Sequence, residues 1–251
     1  MIHLKSSREI EVMARAGRIL GDTLSLLKRS VAPDMSTADL DRLAEEFIRS
    51  HEGATPSFKG LYGFPGSICT SINEEIVHGI PSPRRVLRDG DIVSIDAGVS
   101  LDGYHTDSAT TVAVGRINEE SQRLLDVTAR SLEAGIAQAR SGNHVGDIGA
   151  AVQAVVEGAG YTVVRDLVGH GIGTSFHEEP QVPNYGKPKR GTKLQPGLTI
   201  AIEPMVNIGG AGTRTLGDRW TIVTVDGSRS AHMEHTVAIT DGEPRILTLA
   251  A

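Results

Sequence analysis

One pattern occurs twice in this chain and limits its fold more than any other feature. Leu87-x-x-Gly90-x-x-Val93-x-Ile95-Asp96 aligns with Leu194-x-x-Gly197-x-x-Ile200-x-Ile202-Glu203 at a constant offset of 107 residues, and the last position is an acid in both. The first copy opens a β-hairpin. Apolar and β-branched residues from Ile92, a Leu-Asp-Gly reversal at 101–103 and the run Thr110 to Val114 read as strand, turn, strand. A turn centred between Leu101 and Asp102 sets Asp96 opposite Asp107. A centre between Asp102 and Gly103 shifts the pairing by a residue or so, with a bulge restoring the approach. In either register two acids share one neighbourhood, which is unfavourable unless a proton or a cation separates them. Taken alone, Asp96 reads equally well as a strand-end acid satisfied by turn amides. The second copy is followed by a type I′ hairpin signal at Asp226-Gly227, whose return strand carries Glu234 before Thr236–Ile239, an echo of Thr111–Val114. Two similar halves would then meet around four carboxylates.

The rest of the chain fits a duplicated unit of helix, helix, sheet. Ser6 and Glu9 form a capping box for a helix over residues 7–29, with Ile10, Met13, Gly17, Leu20, Leu24 and Leu27 on its inner face. Ser36 or Thr37 caps a second helix through Ile48, and His51 beyond it is explained by the helix dipole. After a linker at 115–118 the same order returns: a helix to about Arg140, another from Val145 to Gly158, then a strand from Tyr161 to Val168. The expected organisation is one domain over 1–251, with halves of roughly 1–115 and 116–251. A net charge of −6 argues against a broad nucleic-acid surface. No stretch has the length and apolarity of a membrane span, and the opening residues carry no signal-peptide h-region. A lone Cys69 excludes an internal disulfide and a cysteine-built zinc finger, so the cytoplasm is the expected address.

Three histidines stand in irregular, glycine- or proline-flanked segments. His78 precedes Gly79 and Pro81, and structural and catalytic roles are equally open for it. His170 lies among Gly169, Gly171 and Gly173, where the backbone can approach closely and leave the ring accessible. His177-x-x-Pro180 matches His78-x-x-Pro81. The glycines do not make a phosphate loop, since GHGIG lacks the GxxxxGK[ST] spacing, and Lys187, Lys189, Arg190 and Lys193 read as a solvated loop. Asp96, Asp107, Glu203 and Glu234 with His170 offer four negative charges and one imidazole. That donor set suits two divalent ions such as Mn, Fe(II), Co or Zn, sharing a hydroxide for attack on a carbonyl. Hydrolysis is favoured over redox, because no cofactor fingerprint and no cluster-forming cysteines are present.

The segments SINEEIVHGIP (71–81), DGDIVSIDAGVSLDGYHTDSATTVAVG (89–115), VGHGIGTSFHEEPQVPNY (168–185), PGLTIAIEPM (196–205) and RSAHMEHTVAIT (229–240) resemble the type I methionine aminopeptidases, and the likeness spans essentially the whole chain. The resemblance implies an α/β pita-bread fold, two pseudo-symmetric halves of antiparallel sheet flanked by helices, with a dinuclear site between them. It implies Asp96 on one metal, His170 and Glu203 mainly on the other, and Asp107 and Glu234 as bridges. Glu203 would also be the general base, His177 would polarise the scissile carbonyl, and His78 would contact the amide nitrogen. A monovalent cation is implied near Asn73 and Ser230. The family's methionine pocket maps onto Phe58, Leu61, Phe64, Cys69, Phe176 and Trp220, with His78 and His177 at its edge. Trp220, the only tryptophan, would otherwise read as strand core. Phe58 replaces a common cysteine and Leu61 a common tyrosine, which keeps the cavity apolar and changes its volume. The activity implied is removal of initiator methionine from nascent cytosolic chains when the next residue is small. Expected partners are nascent polypeptides and peptides with N-terminal methionine, with transient ribosome contact, no membrane and no specific nucleic acid, and the expected form is a monomer. The alternatives are an aminopeptidase of the same fold acting before proline, or a non-catalytic binding protein of that fold.

Overall fold

The computed structural model describes residues 2–251. Helix α1 (Ser7–Ser30) begins on the expected capping box: Ser6 Oγ accepts the Glu9 N–H, and the Glu9 carboxylate accepts the Ser6 N–H. Helix α2 (Thr37–Arg49) starts the same way on Ser36 and Asp39, and the His51 ring sits at its end, Nδ1 3.0 Å from the Phe47 carbonyl. Helix α3 (Glu119–Ala137) is capped by Asn118 and stops short of Arg140, where the chain bends to bond Gly142 and Asn143 to Leu194. Helix α4 spans Val145–Gly158, as its sequence predicts.

In the first half the strands are β1 (Thr55–Pro56), β2 (Ile68–Ile72), β3 (Glu75–Val77), β4 (Ile92–Leu101) and β5 (Tyr104–Ala113). The second half has β6 (Thr162–Val163), β7 (Gly169–Gly171), β8 (Glu178–Val182), β9 (Thr199–Ile202), β10 (Met205–Asn207), β11 (Thr213–Thr215), β12 (Ile222–Thr224), β13 (Ser230–His232), β14 (His235–Ala238) and β15 (Arg245–Ile246). Of the strand expected over 161–168 only β6 forms, because its pairing with β10 lasts two residues. The repeated pattern keeps its offset: β4 begins at Ile92 and β9 at Thr199.

Both hairpins close differently from the simplest sequence expectation. In β4–β5 Asp96 pairs with Ala109 and Asp107 with Gly98, so the turn centres between Asp102 and Gly103, and the two acids are diagonal neighbours rather than opposite. No bulge is needed. The register differs by two residues, and because side chains alternate with a period of two, both acids stay on one face. In the second half Ile202↔His235, Met205↔His232 and Thr215↔Ile222 lie on one continuous register. These strands are a single interrupted hairpin whose tip is at Asp218–Arg219. Asp226-Gly227 is a real turn, with Gly227 at φ +74 and the Asp226 carboxylate accepting from Gly210 and Ser228. It joins β12 to β13, which pair with other strands.

Alternation also decides which face the acids occupy. Val93, Ile95, Ala97, Val99 and Leu101 of β4 pack with Leu20, Leu24 and Leu27 of α1 and Leu40 and Ile48 of α2. Ile200, Ile202 and Val237 pack with Leu132 and Ile136 of α3 and Ile148 of α4. Helices therefore cover one face of each sheet, and Asp96, Asp107, Glu203 and Glu234 lie on the other. Burying these apolar side chains stabilises each half by about 1.5 to 3 kcal/mol per large residue. This is the pita-bread α/β architecture. The halves are stitched by hydroxyls. Thr236 Oγ1 accepts the Asp107 N–H at 2.9 Å and donates to the Asp107 carbonyl at 2.8 Å. Ser108 Oγ donates to the Glu234 carbonyl at 2.7 Å, and the Glu234 N–H bonds the Ala109 carbonyl at 2.9 Å. Those bonds fix Asp107 beside Glu234.

Candidate active site

Asp107, His170 and Glu234 each turn one donor atom to a common point, and the three atoms lie within 4.8 Å of one another. Glu203 adjoins this group, its Oε1 3.7 Å from His170 Nε2. Asp96 stands beside Asp107 on the hairpin face and outside the three-donor group. The imidazole is oriented from behind: Nδ1 lies 2.8 Å from the Gly171 carbonyl and donates to it. That bond leaves Nε2 with a lone pair facing Asp107 Oδ2 and Glu203 Oε1, each 3.7 Å away.

So many acceptors facing one another require something positive between them. Burial, and then the charge of Asp107, pushes the Asp96 carboxyl well above its ordinary range. Burial raises Asp107 to about 7. Glu203 and Glu234 are raised well above theirs by burial first and by the neighbouring carboxylates second. Asp96 Oδ1, Asp107 Oδ1 and Glu234 Oε1 are buried without a hydrogen-bond partner, which costs several kcal/mol of desolvation in all unless a cation or proton satisfies them. His170 is neutral, its pKa lowered chiefly by burial. Orphaned carboxylate oxygens and a neutral, oriented imidazole are the donors a hard-to-borderline divalent ion takes. The residues fit two such ions, and a dinuclear metal site stands here, built around Asp107, His170 and Glu234.

A cleft of about 520 Å³ opens over these acids, and Phe58, Leu61, Phe64, Cys69, His78, Phe176, His177 and Trp220 all line it. Phe58 contacts Phe64 and Phe176 edge to face, with centroids 6.4 and 5.2 Å away. Phe64 meets Trp220 at 5.1 Å. Gly98 makes this packing possible: a Cβ there would lie 2.9 Å from both the Phe176 ring and Ser57. Trp220 is placed by the hairpin tip, where the Asp218 carboxylate accepts the N–H groups of Trp220 and Thr221. His78, in the left-handed region at φ +60, has its ring 6.5 Å from Trp220 and is lowered to about 4 by burial and then by His177. His177 at the rim contacts His170 at 4.4 Å between ring centroids, and is lowered to about 4 by desolvation and then by His170. Cys69 is buried, its thiol pushed well up. Asn73 and Ser230 are neighbours, the Ser230 N–H bonding the Asn73 carbonyl at 2.9 Å. Lys187, Lys189, Arg190 and Lys193 are exposed and outside the cleft. A second cavity of about 620 Å³ lies against Ser108 and His235, between α1 and α3.

Sequence reasoning passes over two cleft residues. His232 is buried with both ring nitrogens unpartnered, and its Nε2 is 3.9 Å from Glu203 Oε2 and from Glu234 Oε2. It stands two residues before Glu234, at the end of β13, and that proximity in sequence was the available signal. Tyr62 stacks on His177, and no local pattern announces it.

Metallopeptidase family M24 matches residues 11–241. The chain belongs to this family. Within it the chain is similar to the methionine aminopeptidase of Clostridium perfringens, 55% identical over 249 residues covering 99% of each protein. It is 52% identical to methionine aminopeptidase 1 of Bacillus subtilis, again over 99% of both. The crystal structure of methionine aminopeptidase from Rickettsia prowazekii is similar to this one with a TM-score of 0.97 at 40% identity, covering 99% of this chain and 100% of that one.

The raised carboxyls set a pH test on the chelated protein. Their folded pKa values lie above the unfolded ones, so their contribution to stability is complete below about pH 4 and is lost as pH rises through about 7 for Asp107. A divalent ion must displace those protons. Calorimetric titration of Mn²⁺ into chelated protein at pH 6, in two buffers of different ionisation enthalpy, is expected to show net proton release that shrinks toward alkaline pH. Binding without proton release at pH 6 contradicts this electrostatic description.

Proposed function

We infer that the chain is a metal-dependent aminopeptidase that removes N-terminal methionine from proteins and peptides when the second residue is small. The observation that carries this reading is the position of the buried acid cluster at the floor of an apolar, aromatic-walled cleft, in a chain of family M24. Asp96, Asp107, His170, Glu203 and Glu234 would hold the two divalent ions, with Asp107 and Glu234 placed centrally among the donors. Mn, Fe(II), Co and Zn all suit this donor set. When bound, such ions polarise the scissile carbonyl and make water acidic enough to attack near neutral pH.

The chain's own groups do the rest. Phe58, Leu61, Phe64, Cys69, Phe176 and Trp220 enclose the methionine side chain, whose thioether gains from contact with ring edges as well as from burial. His177 donates to the carbonyl oxygen as negative charge grows there, and its low pKa keeps the ring neutral. Glu203 accepts a proton from the attacking water and delivers it to the departing amine. His78 contacts the amide nitrogen and assists its departure. The neighbouring carbonyl and hydroxyl of Asn73 and Ser230 support a monovalent cation. Nascent chains in the cytoplasm are the proposed substrates, met transiently at the ribosome by a monomer. One unpaired, buried cysteine fits a reducing compartment.

The test is a peptide comparison at saturating Mn²⁺. Met-Ala-Ser is expected to lose its methionine with a kcat/KM at least roughly 10²-fold above that for Lys-Ala-Ser, because the cleft would have to desolvate the ammonium. Comparable values for the two contradict the pocket assignment. Glu203→Gln keeps size and one ligating oxygen but removes the base. Its loss should fall mostly on kcat, on the order of 10² to 10⁴-fold. A fully loaded variant that turns over within a few-fold of wild type would show that Glu203 is a ligand only.

A further inference from the structure

Residues Leu61–Gly63 form a single 3₁₀ turn at the tip of the aromatic loop. Gly60 and Gly63 both have φ +88, and a Cβ built on either meets nothing within 4 Å, so the tip stands clear of the body. Tyr62 at its apex is itself left-handed, at φ +51. A bulky side chain rarely adopts that conformation, and such residues cluster where function requires them. Burial does not explain it, for the residue is 73% exposed. The contact that remains is with His177: the rings are within 17° of parallel and their centroids are 5.8 Å apart. Tyr62 Oη is 3.4 Å from His177 Nδ1, which for nearly parallel rings is a stacking contact rather than a directed hydrogen bond. One face of the phenol thus rests against His177 and the other is open to solvent.

We propose that Tyr62 is a specificity-determining residue whose open ring face receives a planar side chain, aromatic or guanidinium, at the third position of the peptide substrate. The inference rests on the methionine aminopeptidase reading, in which His177 meets the scissile carbonyl. Two independent lines of geometry select the third position. An extended chain advances about 3.3 to 3.6 Å per residue, so two residues span a distance comparable to the 5.8 Å between the His177 and Tyr62 rings. Side chains one and three of an extended peptide also point to the same side, and side chain two to the other. With the first side chain held between Leu61 and Phe64, the third turns toward the same loop, where Tyr62 stands. Offset stacking and cation–π contact favour indole, phenol and guanidinium groups on such a face.

The experiment compares kcat/KM for Met-Ala-Trp, Met-Ala-Arg and Met-Ala-Ser in wild type, Tyr62→Phe and Tyr62→Ser, each with saturating Mn²⁺. Wild type is expected to prefer Trp and Arg over Ser by roughly threefold to tenfold, carried mainly by KM, which is the range of one stacking contact. Tyr62→Phe should keep the preference, and Tyr62→Ser should bring the ratios close to one. Equal values for all three peptides in wild type, or a full preference in Tyr62→Ser, overturns the platform while leaving the methionine reading intact. A wild-type enzyme that releases methionine from none of the three overturns both.

Discussion

Four carboxylates buried against one another are the constraint on which the rest of this structure depends. Two come from β4 and β5, and two from the segments that join β9 to β10 and β13 to β14. Among the described residues no Lys or Arg lines the cleft, and the His170 imidazole turns a lone pair toward the acids. Left to itself the cluster lifts its own pKa values and leaves oxygens orphaned. It is a site built to be completed by cations, and the rigidity around it keeps the acids from moving apart to relieve the repulsion.

That rigidity has two sources. Helices bury the far face of each sheet, so alternation locks every acid onto the open face. Hydroxyls of Ser108, Thr111 and Thr236 then join the halves, Thr111 Oγ1 donating to the His232 carbonyl and accepting the His232 N–H, each at 2.8 Å. Each such bond contributes about 1 kcal/mol net, but their greater effect is positional. They hold Asp107 and Glu234 side by side from segments that belong to different halves, and the cleft above inherits this fixed floor.

Much of this was legible in the sequence because it depends on short-range rules. The capping box at Ser6, the 3–4 spacing of apolar residues in the helices and the alternation in β4 place the elements, and the 107-residue offset identifies the acid-bearing strands of both halves. What was not legible depends on partners far along the chain. The Asp226-Gly227 turn has the right local chemistry for a hairpin tip, yet the strands it joins pair elsewhere, and the tip forms at Asp218–Arg219. Asp96 and Asp107 proved diagonal rather than opposite, a difference of turn geometry that parity makes harmless to the site. The hydroxyl stitches, His232 and the Tyr62 stack are tertiary contacts between segments whose local sequence has no reason to name its partner.

The central claim is that the two halves together hold two divalent ions among Asp96, Asp107, His170, Glu203 and Glu234. Anomalous diffraction from crystals grown with Mn²⁺, recorded on either side of the manganese edge, tests it directly. The account predicts two peaks between these five side chains, with Asp107 and Glu234 reaching both. Manganese bound elsewhere with no peak among the five, or one ion that leaves Asp96 without a ligand role, would contradict it.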